Sequence, residues 1–173
     1  MSLHSRTRSG SVIGLLLVVL LATLGTFGTA EAADLPRWRW PLLGTRAVVE
    51  PFRAPAHEYG AGHRGVDLVS SVGAIAVAPA DGVIAFRGTV VDRPLLTITH
   101  ADGLVTTFEP LRSTLDPGDA VSAGQEIGAV DVGGYTPSGA LHIGVRRDGA
   151  YINPLLLFGD IPRSILLPCC APL

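Results

Sequence analysis

Between residues 74 and 149 the chain is broken every few residues by turn-forming sequence. No other feature constrains its fold as strongly. Pro79-Ala80-Asp81-Gly82, Ala101-Asp102-Gly103, Asp116-Pro117-Gly118-Asp119 and Asp148-Gly149 place proline, aspartate and glycine where a chain reverses. The segments between them, 74–78, 83–87, 95–100, 104–108, 121–128 and 140–146, are apolar or alternate apolar with threonine, and they read as short strands. No helical period of useful length interrupts them. The pattern predicts an all-β fold: one antiparallel β-sandwich or open-barrel domain.

The N-terminus follows different rules. His4, Arg6 and Arg8 precede an apolar run over 12–29, and Ala30-Glu31-Ala32 supplies a small-x-small cleavage site. This is the layout of a secretory signal peptide over 1–32. The apolar run is close to the roughly 18 residues that span a bilayer, so an uncleaved membrane anchor is the alternative. The organisation read from the sequence is a signal peptide (1–32), a proline-containing lead-in (33–55), a β domain (56–160) and a C-terminal tail (161–173). Export predicts a secreted, extracytoplasmic protein. Removing Arg6, Arg8 and Glu31 leaves 11 basic and 14 acidic residues, a net charge of 11 − 14 = −3. No basic cluster remains, which argues against nucleic acid as a partner. Cys169 and Cys170 are adjacent and cannot close a long loop. A vicinal disulfide, a link to another molecule and two incidental thiols all remain open.

Three residues have the chemistry of a metal site. His63 and Asp67 are four apart at the entry to a strand, a spacing that turns both side chains to one face. His142, in Leu141-His142-Ile143, adds a third donor from a distant strand. Three protein ligands with one open position is the common pattern of catalytic zinc. Taken singly, His63 also reads as a turn residue and His142 as a satisfied strand histidine. Gly60, Gly62 and Gly65 crowd around His63 and place it on a loop. His57 reads as a solvated loop residue and His100 as a structural one.

Seven motifs, in order, resemble the lysostaphin/LytM-type zinc metallopeptidases, endopeptidases that cut bacterial peptidoglycan cross-links. They are Gly-His-Arg-Gly-Val-Asp-Leu at 62–68, Ala-Pro-Ala-Asp-Gly-Val-Ile at 78–84 and Ile-Thr-His-Ala-Asp-Gly at 98–103. Thr-Thr-Phe-Glu-Pro-Leu at 106–111 and Gly-Asp-Ala-Val-Ser-Ala-Gly-Gln-Glu-Ile-Gly at 118–128 follow. Leu-His-Ile-Gly-Val-Arg-Arg-Asp-Gly at 141–149 and Asn-Pro-Leu at 153–155 close the series. The resemblance runs from about Trp40 to Phe158. It implies a metal groove holding Zn2+ on His63, Asp67 and His142, and a peptidoglycan stem or cross-bridge peptide as substrate.

Two positions depart from the family pattern. Its His-x-His is Ala140-Leu141-His142 here, and its Tyr-Ala-His-Leu is Phe108-Glu109-Pro110-Leu111. Both histidines that the family uses beside the metal, as general base and oxyanion stabilisers, are therefore absent. Loss of a placed acid–base group costs about 10²–10⁴-fold, and loss of an oxyanion donor about 10²–10³-fold. Whether the chain is an enzyme is thus left open by its sequence. Glu109 is a speculative replacement base, against the alternative that it faces solvent or pairs with an arginine. Tyr59 and Tyr135 flank the ligand motifs and are speculative substrate contacts. Two functions follow: a zinc-binding peptidase-fold domain with weak or altered hydrolysis of wall peptides, or a non-catalytic module that binds peptidoglycan or regulates another cell-wall hydrolase. The stretch 121–128 also resembles lipoyl- and biotinyl-carrier domains. Those need a lysine, and all 13 basic residues here are arginine, so that reading fails on its chemistry.

Mass spectrometry of the secreted protein's N-terminus is expected to begin just after Ala32. Recovery of residues 1–32 still attached, in the membrane fraction, would establish the anchor instead.

Overall fold

The computed structural model describes residues 37–159, except 45 and 58. The expected signal peptide and the cysteine pair lie outside the described residues. Among the described residues the strands are β1 (Val48–Glu50), β2 (Gly65–Val69), β3 (Ile75–Val77), β4 (Gly82–Val90), β5 (Arg93–Thr99) and β6 (Leu104–Glu109). They continue as β7 (Leu111–Arg112), β8 (Ala120–Val121), β9 (Glu126–Val130), β10 (Ala140–Arg147) and β11 (Ala150–Ile152), and a short helix α1 (Leu155–Phe158) follows.

The turn signals produce the hairpins they promise. Asp102 and Gly103, at φ 58° and 67°, join β5 to β6, and Asp148 and Gly149, at 50° and 86°, join β10 to β11. Two consecutive positive φ values match the right-handed twist of the flanking strands. Pairing is antiparallel throughout. One sheet runs β1-β2-β10-β6-β5-β4-β8, with β11 also on β10; the other runs β3-β9-β7. The two sheets do not close into a barrel. The chain passes from the large sheet to the small one at Pro110, between β6 and β7.

Three details differ from the sequence expectation. Residues 121–128 are not one strand. Gly124 at φ 87° forces a turn, closed by Gln125 N–H to Ser122 O at 2.9 Å, which sends β8 and β9 to different sheets. The helix α1 has four residues, too few to register as a period; Asn153 Oδ1 accepts the Leu155 N–H at 3.1 Å, and Gly159 ends it at φ 72°. Within the lead-in, Trp38, Trp40 and Leu42 are buried in the core, and β1 pairs with β2.

The centre of the large sheet is held by alternation. Leu68 lies opposite Leu141, and Ile143 lies between Val66 and Phe108. All five are fully buried. Burying a side chain of this size is worth about 1.5–3 kcal/mol. The residues between them, Asp67, His142 and Glu109, therefore point to the opposite face.

His100 is structural, as its sequence context implied. It is buried, with its ring 4.6 Å from that of Trp38. Nδ1 donates to the Asp81 carbonyl at 2.8 Å, and Nε2 accepts from the Thr106 hydroxyl at 2.9 Å. Burial pushes its pKa down, and the Asp81 carbonyl only partly offsets this. The neutral ring is thus the folded form. Its stabilisation is complete above the unfolded value near 6.5 and is lost as pH falls from there toward the lower folded value. Thermal melts are expected to show a lower Tm at pH 5 than at pH 7.5. In His100→Gln the Tm should start lower, by the cost of about 1 kcal/mol per lost hydrogen bond, and respond less to acid.

Candidate metal centre

Antiparallel register builds the site. Glu50 on β1 lies opposite Asp67 on β2, Asp67 opposite His142 on β10, and His142 opposite Glu109 on β6. Directly opposed residues share a face, so four side chains form one row across four strands. His63 enters from the loop before β2. Its backbone is clamped to Arg53 by two hydrogen bonds, at 2.9 and 3.0 Å. Its ring Nδ1 lies 2.9 Å from the Pro51 carbonyl. A carbonyl only accepts, so Nδ1 carries the proton and Nε2 presents its lone pair to the row. A metal-ligating histidine is commonly oriented in this way.

Three donor atoms converge. Asp67 Oδ1 is 3.1 Å from His63 Nε2 and 2.7 Å from His142 Nδ1, and the two nitrogens are 3.1 Å apart. With bonds of about 2.0–2.1 Å, tetrahedral zinc ligands stand roughly 3.3 Å from one another. The observed triangle is slightly tighter and suits such an ion with small adjustments. Two imidazole nitrogens and a carboxylate oxygen are also the right donors for zinc. Burial alone would push the Asp67 carboxyl up. Contact with the His142 and His63 imidazoles, the His142 hydrogen bond foremost, outweighs it and holds the group below its usual value, as an anion.

Gly65 is required for this arrangement. A Cβ there would stand 2.3 Å from the Ile143 carbonyl oxygen and 2.6 Å from His142 Nε2. No side chain fits between β2 and the His142 ring.

The positions of the missing histidines hold no substitute base. Ala140, opposite Val69, is buried, and Pro110 is buried with its carbonyl accepting from Asp131 N–H. Glu109 shares the face of His142, so it is turned toward the site and not away from it. It is also engaged: Arg93 Nε donates to Glu109 Oε2 at 2.9 Å. An open cleft of about 170 Å³ runs over this face, lined by the three donors together with Glu50, Glu109, Arg93, Tyr135 and Thr136. Tyr135 is at its rim and fully exposed, whereas Tyr59 is 88% exposed and does not line it. His57 is exposed and also stands outside it. Sequence reasoning missed Arg93, Glu50 and Thr136. Glu50 was within reach, since pairing β1 with β2 sets it beside Asp67; Arg93 had no local signal.

Residues 61–154 match Peptidase family M23. The chain belongs to this family. It is 36% identical over 151 residues to the Uncharacterized protein Rv2891 of Mycobacterium tuberculosis (strain ATCC 25618 / H37Rv), covering 83% of this chain and 61% of that one. It is 32% identical over 130 residues to the Murein hydrolase activator NlpD of Salmonella typhimurium, covering 73% of this chain and 33% of the relative. The solved structure of Helicobacter pylori Csd3 matches with a TM-score of 0.58 at 26% identity, over 75% of this chain and 36% of that one. The chain spans less than two thirds of the length of these relatives. Within the M23 fold, its His-Asp-His cluster is retained and the surrounding histidines are not.

The purified protein is expected to carry one zinc per chain by elemental analysis. His142→Ala should lose it, and Gly65→Ala should lose it too by displacing the same ring. Stoichiometric zinc in His142→Ala would move the site elsewhere.

Proposed function

We propose that this is an exported, zinc-binding M23 domain that engages peptidoglycan peptides at the cell wall and hydrolyses them weakly or by an altered route. The observation that carries this reading is the convergence of His63 Nε2, Asp67 Oδ1 and His142 Nδ1 within 3.1 Å of one another. Zinc held by these three residues would polarise a substrate carbonyl as a Lewis acid. The remaining steps fall to the chain itself. Pro51 and the Arg53 backbone hold His63 in the ligating tautomer and position. The cleft offers an extended peptide the wall formed by Tyr135 and Thr136. Among the described residues, no further imidazole lines the cleft beside the three donors to take or return a proton. Glu109 is the carboxylate next in the row, and its Oε2 already accepts the Arg93 Nε–H at 2.9 Å, so the pair must open before that oxygen is available.

A second reading is favoured by the same features. The relative NlpD is by name a murein hydrolase activator. A chain that keeps the metal residues and the cleft but has Ala140 and Pro110 in place of the histidines suits a module that binds peptidoglycan or regulates another hydrolase.

Amine release from purified peptidoglycan separates the two. The native protein is expected to be at least about 10²-fold slower than a family member with both histidines. Ala140→His, which restores an imidazole on the His142 face, should raise the rate. Glu109→Gln should abolish the residual rate while sparing zinc. Full family-like turnover that survives Glu109→Gln would defeat the weak-hydrolysis reading. No turnover in any variant, with zinc bound, would favour the regulatory module.

A further inference from the structure

Among the described residues, Arg93 is the only arginine lining the cleft over the metal residues. It is the first residue of β5, directly after the two-residue turn Val91-Asp92. Val91 adopts φ 61° there, a conformation rare for a β-branched residue. A loop carrying Gly133 and Gly134 lies against this turn. A Cβ on Gly133 would stand 2.3 Å from the Asp92 carbonyl oxygen, and one on Gly134 would stand 2.6 Å from Arg93 Cδ. Both glycines take positive φ. The stem of Arg93 is therefore pressed between its own hairpin and the loop that presents Tyr135 and Thr136. Its head is fixed over the cleft.

The guanidinium is only partly used. Nε donates to Glu109, and Nη1 stands 3.8 Å from Asp92 Oδ1, beyond hydrogen-bond range. An arginine fork has five N–H donors and binds carboxylates in pairs. At the other end of the row, Glu50 is tied to Arg53 at 2.6 Å, on a more exposed pair. Among the described residues, the cleft thus holds a pre-positioned cation whose only carboxylate partner within hydrogen-bond range is a side chain facing the same space.

We propose that Arg93 is a specificity-determining residue that receives a free carboxylate of the bound peptide, in competition with Glu109. The inference rests on the wall-peptide reading above and names the chemistry of that ligand: a peptide bearing an unamidated carboxylate near the bond presented to the metal residues. Pre-organisation makes the exchange favourable, because the stem of Arg93 has already lost its freedom to packing. When the ligand's carboxylate takes the fork, Glu109 is left on the His142 row as an unengaged acceptor. Carboxylate recognition and release of Glu109 are then one event.

The test is calorimetric binding of two synthetic wall tetrapeptides to the full, zinc-loaded chain. The peptides are identical except that one carries a free C-terminal carboxylate and the other its amide. The native protein is expected to prefer the acid by about tenfold, the value of one charge-assisted pair. Arg93→Gln should bring the ratio close to one without changing zinc content. Arg93→Lys keeps the charge but loses the fork, and should give an intermediate ratio. Glu109→Gln removes the competitor, so it should tighten acid binding several-fold and leave amide binding unchanged; a merely structural role for Arg93 would move both peptides alike. Equal binding of acid and amide to the native protein overturns the inference and leaves the wall-peptide reading standing, as does a preference that persists in Arg93→Gln. Binding of neither peptide overturns both.

Discussion

The register between β2 and β10 is the constraint on which the rest depends. Leu68 with Leu141, and Val66 with Ile143, bury one face of the pair completely. A slip of one residue would exchange the two faces. Slipping β2 in this way would drive Asp67 into the core, away from His142, and expose Val66 and Leu68. Burying a charged carboxylate without its partners would cost several kcal/mol more. The hydrophobic face thus fixes the position of the polar one, and the metal residues inherit their alignment from packing they do not touch. His63 is the exception, since a loop carries it and Arg53 and Pro51 must hold it.

Legibility in the sequence followed the range of the interactions. The Asp-Gly hairpins were readable because their chemistry lies within four residues. The His63–Asp67–His142 cluster was readable because three metal-binding residue types stood in strand and loop contexts within a series of ordered motifs. The β4–β5 hairpin was not readable. Its turn, Val91-Asp92, contains no glycine, and what supports it is a loop about forty residues away whose own glycines allow close approach. The direction of Glu109 was equally hidden. Alternation says only that it opposes Phe108; the β6–β10 register is needed to say that it faces His142. It faces the site and is paired there.

Charge along the row explains why neighbouring carboxylates have different fates. Glu50 and Glu109, at its ends, are each met by an arginine. Asp67, at the centre, is met only by imidazoles. The outer pairs cancel, so the row presents one net negative charge between two nitrogen donors. Such a set is suited to a divalent cation, and with one in place it carries a net charge of +1 on a face open to the cleft. Without Arg93, Glu109 would make the same set neutral overall. Arg93 therefore does more than restrain a side chain: it changes the net charge of the face that lines the cleft. The two histidines absent at Ala140 and Pro110 would have supplied proton-transfer groups without changing that charge. An arginine–glutamate pair in the same cleft fixes the charge and supplies no free proton acceptor until the pair opens. Under the proposed function, binding and chemistry would be coupled through this one ion pair, and a ligand unable to open it would meet the His63–Asp67–His142 cluster with Glu109 still engaged.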